Sequence, residues 1–274
     1  MPLNARYIGI LRASQQADRP QGRRGPTVDP EARRDGYRAH LAADPETGII
    51  TGEKLTAAAG TENSDAAVAA EFVADVGGGA GADAVGRHDD DDAGGQLTWY
   101  GDSAYGTGDL RAAITTAGHR AVIKPWPLLP AVKGGFTTDD FTVDPVARTV
   151  TCPAGITRRV TAKNAVILGT ACRDCPLRER CTISKDGRTL RLHEHDSLLR
   201  AARADWAAGP ELRRDYMTHR PHVERAIAQV ATWRGPRLKL RYRGVTRNHA
   251  WLKRRTAAIN LRNLPGRGRA GCGG

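Results

Sequence analysis

The sequence lacks any long apolar segment. None of its runs approaches the roughly 18 consecutive apolar residues that a membrane-spanning helix requires. The N-terminal stretch MPLNARYIGILRA also has no apolar core of the kind that a secretory signal peptide carries. We therefore expect a cytoplasmic protein that does not cross a membrane.

Aromatic residues are scarce, at 5%, and acidic residues are outnumbered, so the formal net charge is +12. The excess lies near the C-terminus, because residues 211–274 contain 16 Lys or Arg and only 3 Asp or Glu. A basic segment on a nearly neutral body is typical of proteins that bind nucleic acid. The alternative is a basic tail that only keeps the protein soluble. We favour nucleic acid because 14 of those 16 basic residues precede Gly266 and fall in a patterned segment.

The five cysteines form an odd set, which argues against a disulfide framework. Four of them fall within 30 residues: Cys152, Cys172, Cys175 and Cys181. A CxxC pair with two further thiolates is a ligand set that tetrahedral zinc accepts, so structural zinc is our first hypothesis. An iron–sulfur cluster and free thiols are the alternatives. His193 or His195 could replace one sulfur ligand, although the HEH segment is more typical of a solvated strand.

The apolar patterns predict an α/β fold. GYRAHLAADPETGIITGEKLT is typical of a β-hairpin, and SDAAVAAEFVADV is a predicted helix with Ser64 as its N-cap. QLTWYG and AVIKPW are predicted strands that flank the predicted helix GDLRAAITTAG. RPHVERAIAQVATW, with Pro221 at its first helical position, and HAWLKRRTAAINLRNL are predicted helices further along the chain.

These patterns divide the chain into five segments. Residues 133–210 hold the four cysteines and interrupt the alternation of strands and helices, so we interpret them as an insertion. The predicted segments are a poorly ordered N-terminal remnant at 1–35, the first part of a core at 36–132, the cysteine-bearing insertion at 133–210, the rest of the core with a basic DNA-binding segment at 211–264, and a disordered tail at 265–274.

Two acidic residues are candidates for catalysis. Asp102 follows a predicted strand in WYGDSAYGTGDLR, and Glu224 lies early in the predicted helix of HRPHVERAIAQV. Each also has a purely structural explanation. Asp102 would be a helix cap, and Glu224 would be an acid in the first helical turn, where the helix dipole stabilises negative charge. Phosphodiester chemistry with two metal ions needs carboxylates from separate elements, and Mg²⁺ or Mn²⁺ would be the ion. The nearby basic segment would hold the phosphate backbone.

The chain resembles DDE-type transposases of bacterial insertion sequences, in the group with an RNase-H-like core and a cysteine-bearing insertion. The resemblance rests on GYRAHLAADPETGIIT, GDSAYGTGDLRAAI, CPAG, CRDCPLRERCT, HRPHVERAIAQV and RLKLRYRGVTRNHAWLKRRTAAINLRNL, over roughly residues 27–264. It implies an RNase-H-like mixed sheet flanked by helices. It also implies DNA as the partner, as terminal repeats and as target, and we expect a homodimer.

The resemblance also implies roles for individual residues. Asp102 would be the second metal-binding aspartate and Glu224 the third acid, while Arg220 and Tyr216 would contact DNA phosphate. The basic residue common seven positions after the glutamate is replaced by Ala231. Other residues of the basic segment would then contact DNA: Arg234, Lys239, Arg241, Arg243 and Lys253.

One part of the family pattern is missing. The first aspartate is expected on the strand before the hairpin, but ARYIGILRA has no acid there, and Asp29, Asp35 and Asp44 are poor substitutes. We therefore interpret the chain as an N-terminally truncated transposase derivative, and we favour an inactive one. The alternatives are a noncatalytic DNA-binding remnant with a zinc-stapled insertion, and a metal-dependent nuclease unrelated to transposition.

Overall fold

The structure, a computed structural model, describes residues 36–77, 95–232, 240 and 242–264, together with the backbone of residues 5–14. It has a mixed α/β fold and divides into two compact units. The first unit comprises Met1–Lys124 and Asp205–Gly274, and the second comprises Pro125–Ala204. Within the described residues, no helix combines the length and the apolar character needed to cross a membrane.

The first unit is built on a five-stranded mixed sheet with the order β3-β2-β1-β4-β5. Its strands are β1 (Ala5–Ser14), β2 (Gly36–Ala43), β3 (Ile50–Ala57), β4 (Thr98–Gly101) and β5 (Arg120–Ile123). The first three strands pair antiparallel, whereas β1, β4 and β5 pair parallel. Residues 5–14 of the predicted N-terminal remnant therefore form the strand at the centre of this sheet.

Helices cover both faces of the sheet. Leu41 and Ala42 are neighbours on β2 and belong to different buried clusters, because successive side chains of a strand point to opposite faces. Helices α1 (Asp65–Gly77) and α2 (Gly108–Thr116) pack against the face that carries Ala42. Helices α5 (Pro210–Ala231) and α6 (Val245–Asn263) pack against the face that carries Leu41.

Local signals account for the first elements of this unit. The predicted hairpin is confirmed, with β2 and β3 paired antiparallel across a turn that Asp44 holds by accepting from the backbone N–H of Glu46 at 3.0 Å. The predicted cap of α1 is confirmed as well, since the Ser64 hydroxyl oxygen accepts from the backbone N–H of Ala67 at 3.3 Å.

The second unit is made of short elements. Strands β6 (Thr142–Asp144), β7 (Thr149–Thr151) and β8 (Thr157–Arg159) form one sheet, and β9 (Ala165–Ile167) pairs with β10 (Thr189–Arg191) in another. Its helices are α3 (Arg178–Cys181) and most of α4 (Asp196–Ala208). The buried core of this unit contains Phe141, Val150, Val166, Leu168 and Leu190 together with two cysteines, Cys172 and Cys181.

The prediction that Pro221 occupies the first helical position is wrong. Helix α5 begins at Pro210, so Pro221 lies inside it and Pro210 takes the position that suits a missing N–H. Proline in a helix interior removes one backbone hydrogen bond and strains the preceding turn. The helix continues through Pro221 because buried side chains on both sides of it, Tyr216 and Val230, hold it against the sheet.

Candidate active site and cysteine cluster

Asp102 lies directly after β4, at the carboxyl end of that strand. Its Oδ1 accepts from the backbone N–H of Ala104 at 2.8 Å and so caps the short 3₁₀ turn Ser103–Tyr105. The side chain is exposed, and among the described residues its second oxygen has no hydrogen-bond donor. Asp102 therefore has the structural role of a cap and still presents a carboxylate oxygen to solvent.

Glu224 lies on α5 at the end of a hydrogen-bonded chain of three side chains. Arg220 Nε donates to Glu224 Oε1 at 3.0 Å, and Arg220 Nη1 donates to the Tyr216 hydroxyl at 3.1 Å. Because α5 starts at Pro210, the i, i+4, i+8 spacing of these residues places them on one face of the helix. Tyr216 is buried against the sheet beside Tyr100. This burial fixes the position of the tyrosine at one end of the hydrogen-bonded series.

Tyr216 connects the two candidate acids electrostatically. Burial raises the pKa of the Tyr216 hydroxyl, the Arg220 guanidinium lowers it, and the carboxylates of Asp102 and Glu224 raise it further. Both carboxylates therefore act on the same hydroxyl, although they come from β4 and α5, more than 100 residues apart in the sequence.

These acids do not supply the three-carboxylate ligand set that the family resemblance implies. Strand β1 runs parallel to β4 with Tyr7 opposite Tyr100, but ARYIGILRAS contains no acidic residue to lie beside Asp102. Asp44 is buried in its hairpin turn, where its Oδ2 accepts from the Thr47 hydroxyl at 2.6 Å. Asp29 and Asp35 lie outside the described residues. Across the described ranges, no group of three or more His, Cys, Asp or Glu side chains is arranged to hold a metal ion.

A polar network on the same helix was missed in the sequence. Tyr100 donates to Asp215 Oδ1 at 2.8 Å, and His219 Nδ1 lies 2.9 Å from the same oxygen. Arg120 approaches the other Asp215 oxygen at 3.7 Å. Burial raises the pKa of the Tyr100 hydroxyl, and its hydrogen bond to Asp215 adds to this effect. The i, i+4 spacing of Asp215 and His219 could have indicated a contact between these two side chains. It could not have indicated their partners Tyr100 on β4 and Arg120 on β5.

Part of the predicted DNA-binding set can be located. Arg243 precedes α6 and Lys253 lies on it, and both side chains are exposed. Arg234, Lys239 and Arg241 lie outside the described residues. Two exposed arginines of α6, Arg247 and Arg254, were not singled out in the sequence, although their seven-residue separation puts them on one side of the helix.

Arg255, the next residue of α6, has a different role. It donates from Nε to the Val230 carbonyl at 2.7 Å and from Nη2 to the Gln229 carbonyl at 2.8 Å, near the C-terminal end of α5. Carbonyl groups in the last turn of a helix have no partner within the helix, and a cation there is favourable. Arg255 therefore holds α5 and α6 together rather than contributing to the exposed basic side.

The four cysteines Cys152, Cys172, Cys175 and Cys181 line one cavity of about 20 Å³ in the second unit. All four are free thiols, with Cys172 and Cys181 buried and Cys152 and Cys175 half-buried. Burial raises the pKa of the Cys181 thiol; Arg188 opposes this, and the other three cysteines add to it. The chain thus gathers four sulfur atoms from residues 152–181 at one place, together with a nearby guanidinium.

Comparison with known proteins finds a family that matches part of the chain. The family described as "Transposase DDE domain" matches residues 151–265, which is less than half of the chain and contains the CxxC segment, α5 with Glu224, and α6. Asp102 lies outside the matched residues. No curated protein and no solved structure matches the chain. Residues 151–265 are therefore similar to a transposase DDE domain. This similarity supports the resemblance of the chain to DDE transposases.

Proposed function

We propose that this protein is a DNA transposase of the DDE type. Its reaction is hydrolysis of a DNA phosphodiester, followed by attack of the freed 3′-hydroxyl on a phosphodiester of target DNA. The similarity of residues 151–265 to a transposase DDE domain carries the proposal. The mixed sheet, with helices packed on both faces, supports an RNase-H-like core for it.

Asp102 and Glu224 are the acidic residues of the proposed site. Asp102 follows β4 and Glu224 lies on α5, and both carboxylates raise the pKa of the Tyr216 hydroxyl, which supports a shared site. Arg220 positions the Glu224 carboxylate through its 3.0 Å hydrogen bond and is itself oriented by Tyr216. An arginine so placed can turn its remaining N–H groups toward a phosphate, since guanidinium offers five donors.

The basic side of α6 is the proposed DNA contact. Arg243, Arg247, Lys253 and Arg254 expose their side chains on or just before this helix. Lysine and arginine that neutralise phosphates release bound counterions, and this release supplies most of the sequence-independent affinity for DNA.

A noncatalytic DNA-binding protein is the second candidate. The observation that favours it is the absence of an acid on β1, beside the carboxyl end of β4. Two carboxylates hold a divalent cation less well than three, because Mg²⁺ and Mn²⁺ prefer anionic oxygen ligands. In this case the basic side of α6 would bind DNA and no strand would be cut.

Strand cleavage tests the proposal and separates the two candidates. The substrate is DNA that carries the terminal inverted repeats flanking the coding sequence, with Mg²⁺ or Mn²⁺ added. We expect metal-dependent cleavage by the wild type, and a loss of at least about 100-fold in Asp102→Asn and Glu224→Gln. DNA affinity should stay within about twofold, because neither residue lies on the basic side of α6.

Asparagine at position 102 removes the negative charge but should not disturb folding, so a loss of cleavage would report on catalysis. Asparagine retains an acceptor for the Ala104 N–H and is a good N-cap residue, so Asp102→Asn should leave the 3₁₀ turn intact. Asp75→Asn, at an exposed position on α1, is the matched control and should cleave like the wild type. Binding without cleavage by the wild type supports the second candidate. A protein that neither binds nor cleaves these DNA ends contradicts both.

A further inference from the structure

We propose that Cys152, Cys172, Cys175 and Cys181 bind one zinc ion that holds the second unit together. The proposal does not depend on the DNA chemistry proposed above, because it concerns other residues in the other compact unit. Zinc with four thiolate ligands is a common structural site and contributes directly to the free energy of folding.

The first support is convergence. The four thiols come from the turn between β7 and β8 and from the segment 172–181, and they line one cavity. The remaining lining is largely apolar, with Phe136, Ile156 and Leu168 among its residues. A volume of about 20 Å³ has room for roughly one water-sized occupant. A single ion fits that space, whereas an iron–sulfur cluster would need additional space for inorganic sulfide.

Backbone N–H groups lie close to two of the four cysteines. In the turn after β7, the Gly155 N–H donates to the Cys152 carbonyl at 2.8 Å, with Gly155 at φ +81. In the other segment, the Arg188 backbone N–H points at Cys172 Sγ, 3.5 Å away. N–H groups directed at a sulfur atom stabilise the thiolate form, which is the form that binds metal.

Gly187 allows this approach to Cys172. It has φ +85, and a Cβ added there would come within 2.4 Å of the Gly169 carbonyl oxygen and 3.2 Å of Cys172 Cβ. Only glycine tolerates both the left-handed backbone and the close contact. Glycine at position 187 therefore allows the Arg188 N–H to lie next to the Cys172 sulfur atom.

Charge around the cavity is of the sign that thiolates require. Four thiolates on Zn²⁺ leave a net charge of −2, which buried surroundings accept only if cations lie nearby. Arg178 lines the cavity and donates to the Cys172 carbonyl at 2.9 Å. Arg188 directs its backbone N–H at Cys172 Sγ, 3.5 Å away, and its buried Nε has no hydrogen-bond acceptor among the described residues. Anionic sulfur beside that Nε would remove an unfavourable buried donor.

A bound metal would also stabilise the second unit, which has only a small apolar core. All five of its strands are three residues long, and its buried core is a single small cluster that includes Cys172 and Cys181. Units with so little apolar core usually need disulfides or a structural metal to be stable. Since the four cysteines are free thiols, a metal is the cross-link that they can provide.

Coordination requires small side-chain movements. The four cysteines line the cavity, but among the described residues they are not arranged as a ligand set. Rotation of a cysteine χ1 between its staggered wells moves Sγ by a few ångströms and leaves the backbone in place. Side-chain rotation alone can therefore change where each sulfur atom points.

Metal analysis of the purified full-length chain tests the proposal. We expect about one zinc per chain, and cobalt substitution should give the visible absorption of tetrahedral thiolate coordination. The Cys172→Ser, Cys175→Ser double variant should lose the metal, and Cys272→Ser, which removes the cysteine outside the proposed set, should retain it. Cys175→His keeps a zinc ligand and should retain zinc as well, even if the serine variant folds poorly.

A second measurement needs no variant. Removal of zinc from the wild type by a chelator should speed amide hydrogen exchange within Pro125–Ala204 and leave β2 and β3 of the first unit protected. Readdition of zinc should restore the protection. A chain without metal, iron with acid-labile sulfide in place of zinc, or zinc that persists in the double serine variant would each overturn the proposal. DNA cleavage plays no part in these readouts, so failure here and failure of the proposed function are distinguishable.

Discussion

His40 is a fully buried histidine in the middle of β2, and it illustrates how one residue links pH to stability. Its Nε2 lies 3.1 Å from the Thr56 hydroxyl, and its Nδ1 lies 4.0 Å from Asp65 Oδ1 without a hydrogen bond among the described residues. Burial lowers the pKa of His40 from 6.5 to about 4; Arg38 and Lys54 add to this, and Glu71 opposes it.

We predict that stability falls as the pH drops from about 6.5 to about 4. In this window the unfolded chain binds a proton at His40 and the folded chain does not, so protonation favours unfolding. The shift corresponds to a loss on the order of 3 kcal/mol from this residue. Denaturant unfolding of the wild type and His40→Gln across this range checks the prediction. The variant should show a flatter profile, whereas His193→Gln, at an exposed position, should follow the wild type.

At the scale of elements, α6 is held to the sheet by both apolar and polar contacts. Leu252 and Ile259 are buried against the face that carries Leu41. Asn260 makes a pair of hydrogen bonds with the backbone of Ile50 at the start of β3: it accepts from the N–H at 2.8 Å and donates to the C=O at 2.8 Å. These two groups lie on the edge strand, which has no further strand beside it in the described sheet.

We predict that Asn260→Ala destabilises the first unit by about 1–3 kcal/mol, because it leaves a donor and an acceptor of β3 without partners. Leu261→Ala, at a neighbouring position that is 66% exposed, should change stability by no more than about 0.5 kcal/mol. Chemical denaturation of both variants measures the difference. Equal effects would mean that α6 does not depend on this pair of hydrogen bonds.

At the scale of the whole molecule, exposed basic side chains of α6 contribute to the positive net charge. The chain carries a net charge of +12, and the exposed side chains of Arg247 and Arg254 belong to its basic C-terminal part. Arg255 is committed to the carbonyl groups of α5, so charge alone does not identify the residues that can reach DNA. Burial and hydrogen bonding distinguish the exposed arginines Arg247 and Arg254 from Arg255, which binds carbonyl groups of α5.

We predict that the Arg247→Ala, Arg254→Ala double variant binds DNA more weakly and with less salt dependence. The slope of log K against log salt should fall in magnitude by about 2, because each lost phosphate contact removes close to one released counterion. The Lys133→Ala, Lys163→Ala variant removes the same charge from exposed positions of the second unit. Its slope should stay within about 0.5 of the wild type. Affinity measurements at several salt concentrations provide both values.

Sequence patterns were sufficient where structure depends on near neighbours. The hairpin of β2 and β3, the Ser64 cap of α1 and the position of Asp102 after β4 follow from turn residues, capping residues and apolar spacing within a few positions. The same local reasoning failed at Pro221. Proline is over-represented at the first position of helices, but α5 runs through Pro221 with Tyr216 and Val230 buried against the sheet on either side of it.

The sequence by itself determined the basic C-terminal part, the α/β class and the identity of the candidate acids and thiols, because composition and short-range spacing are written in the chain. The tertiary structure decided which of these residues meet. It brought Tyr100 and Arg120 to Asp215 and set four cysteines around one cavity. Such contacts depend on the packing of elements distant in sequence, and no local pattern specifies that packing.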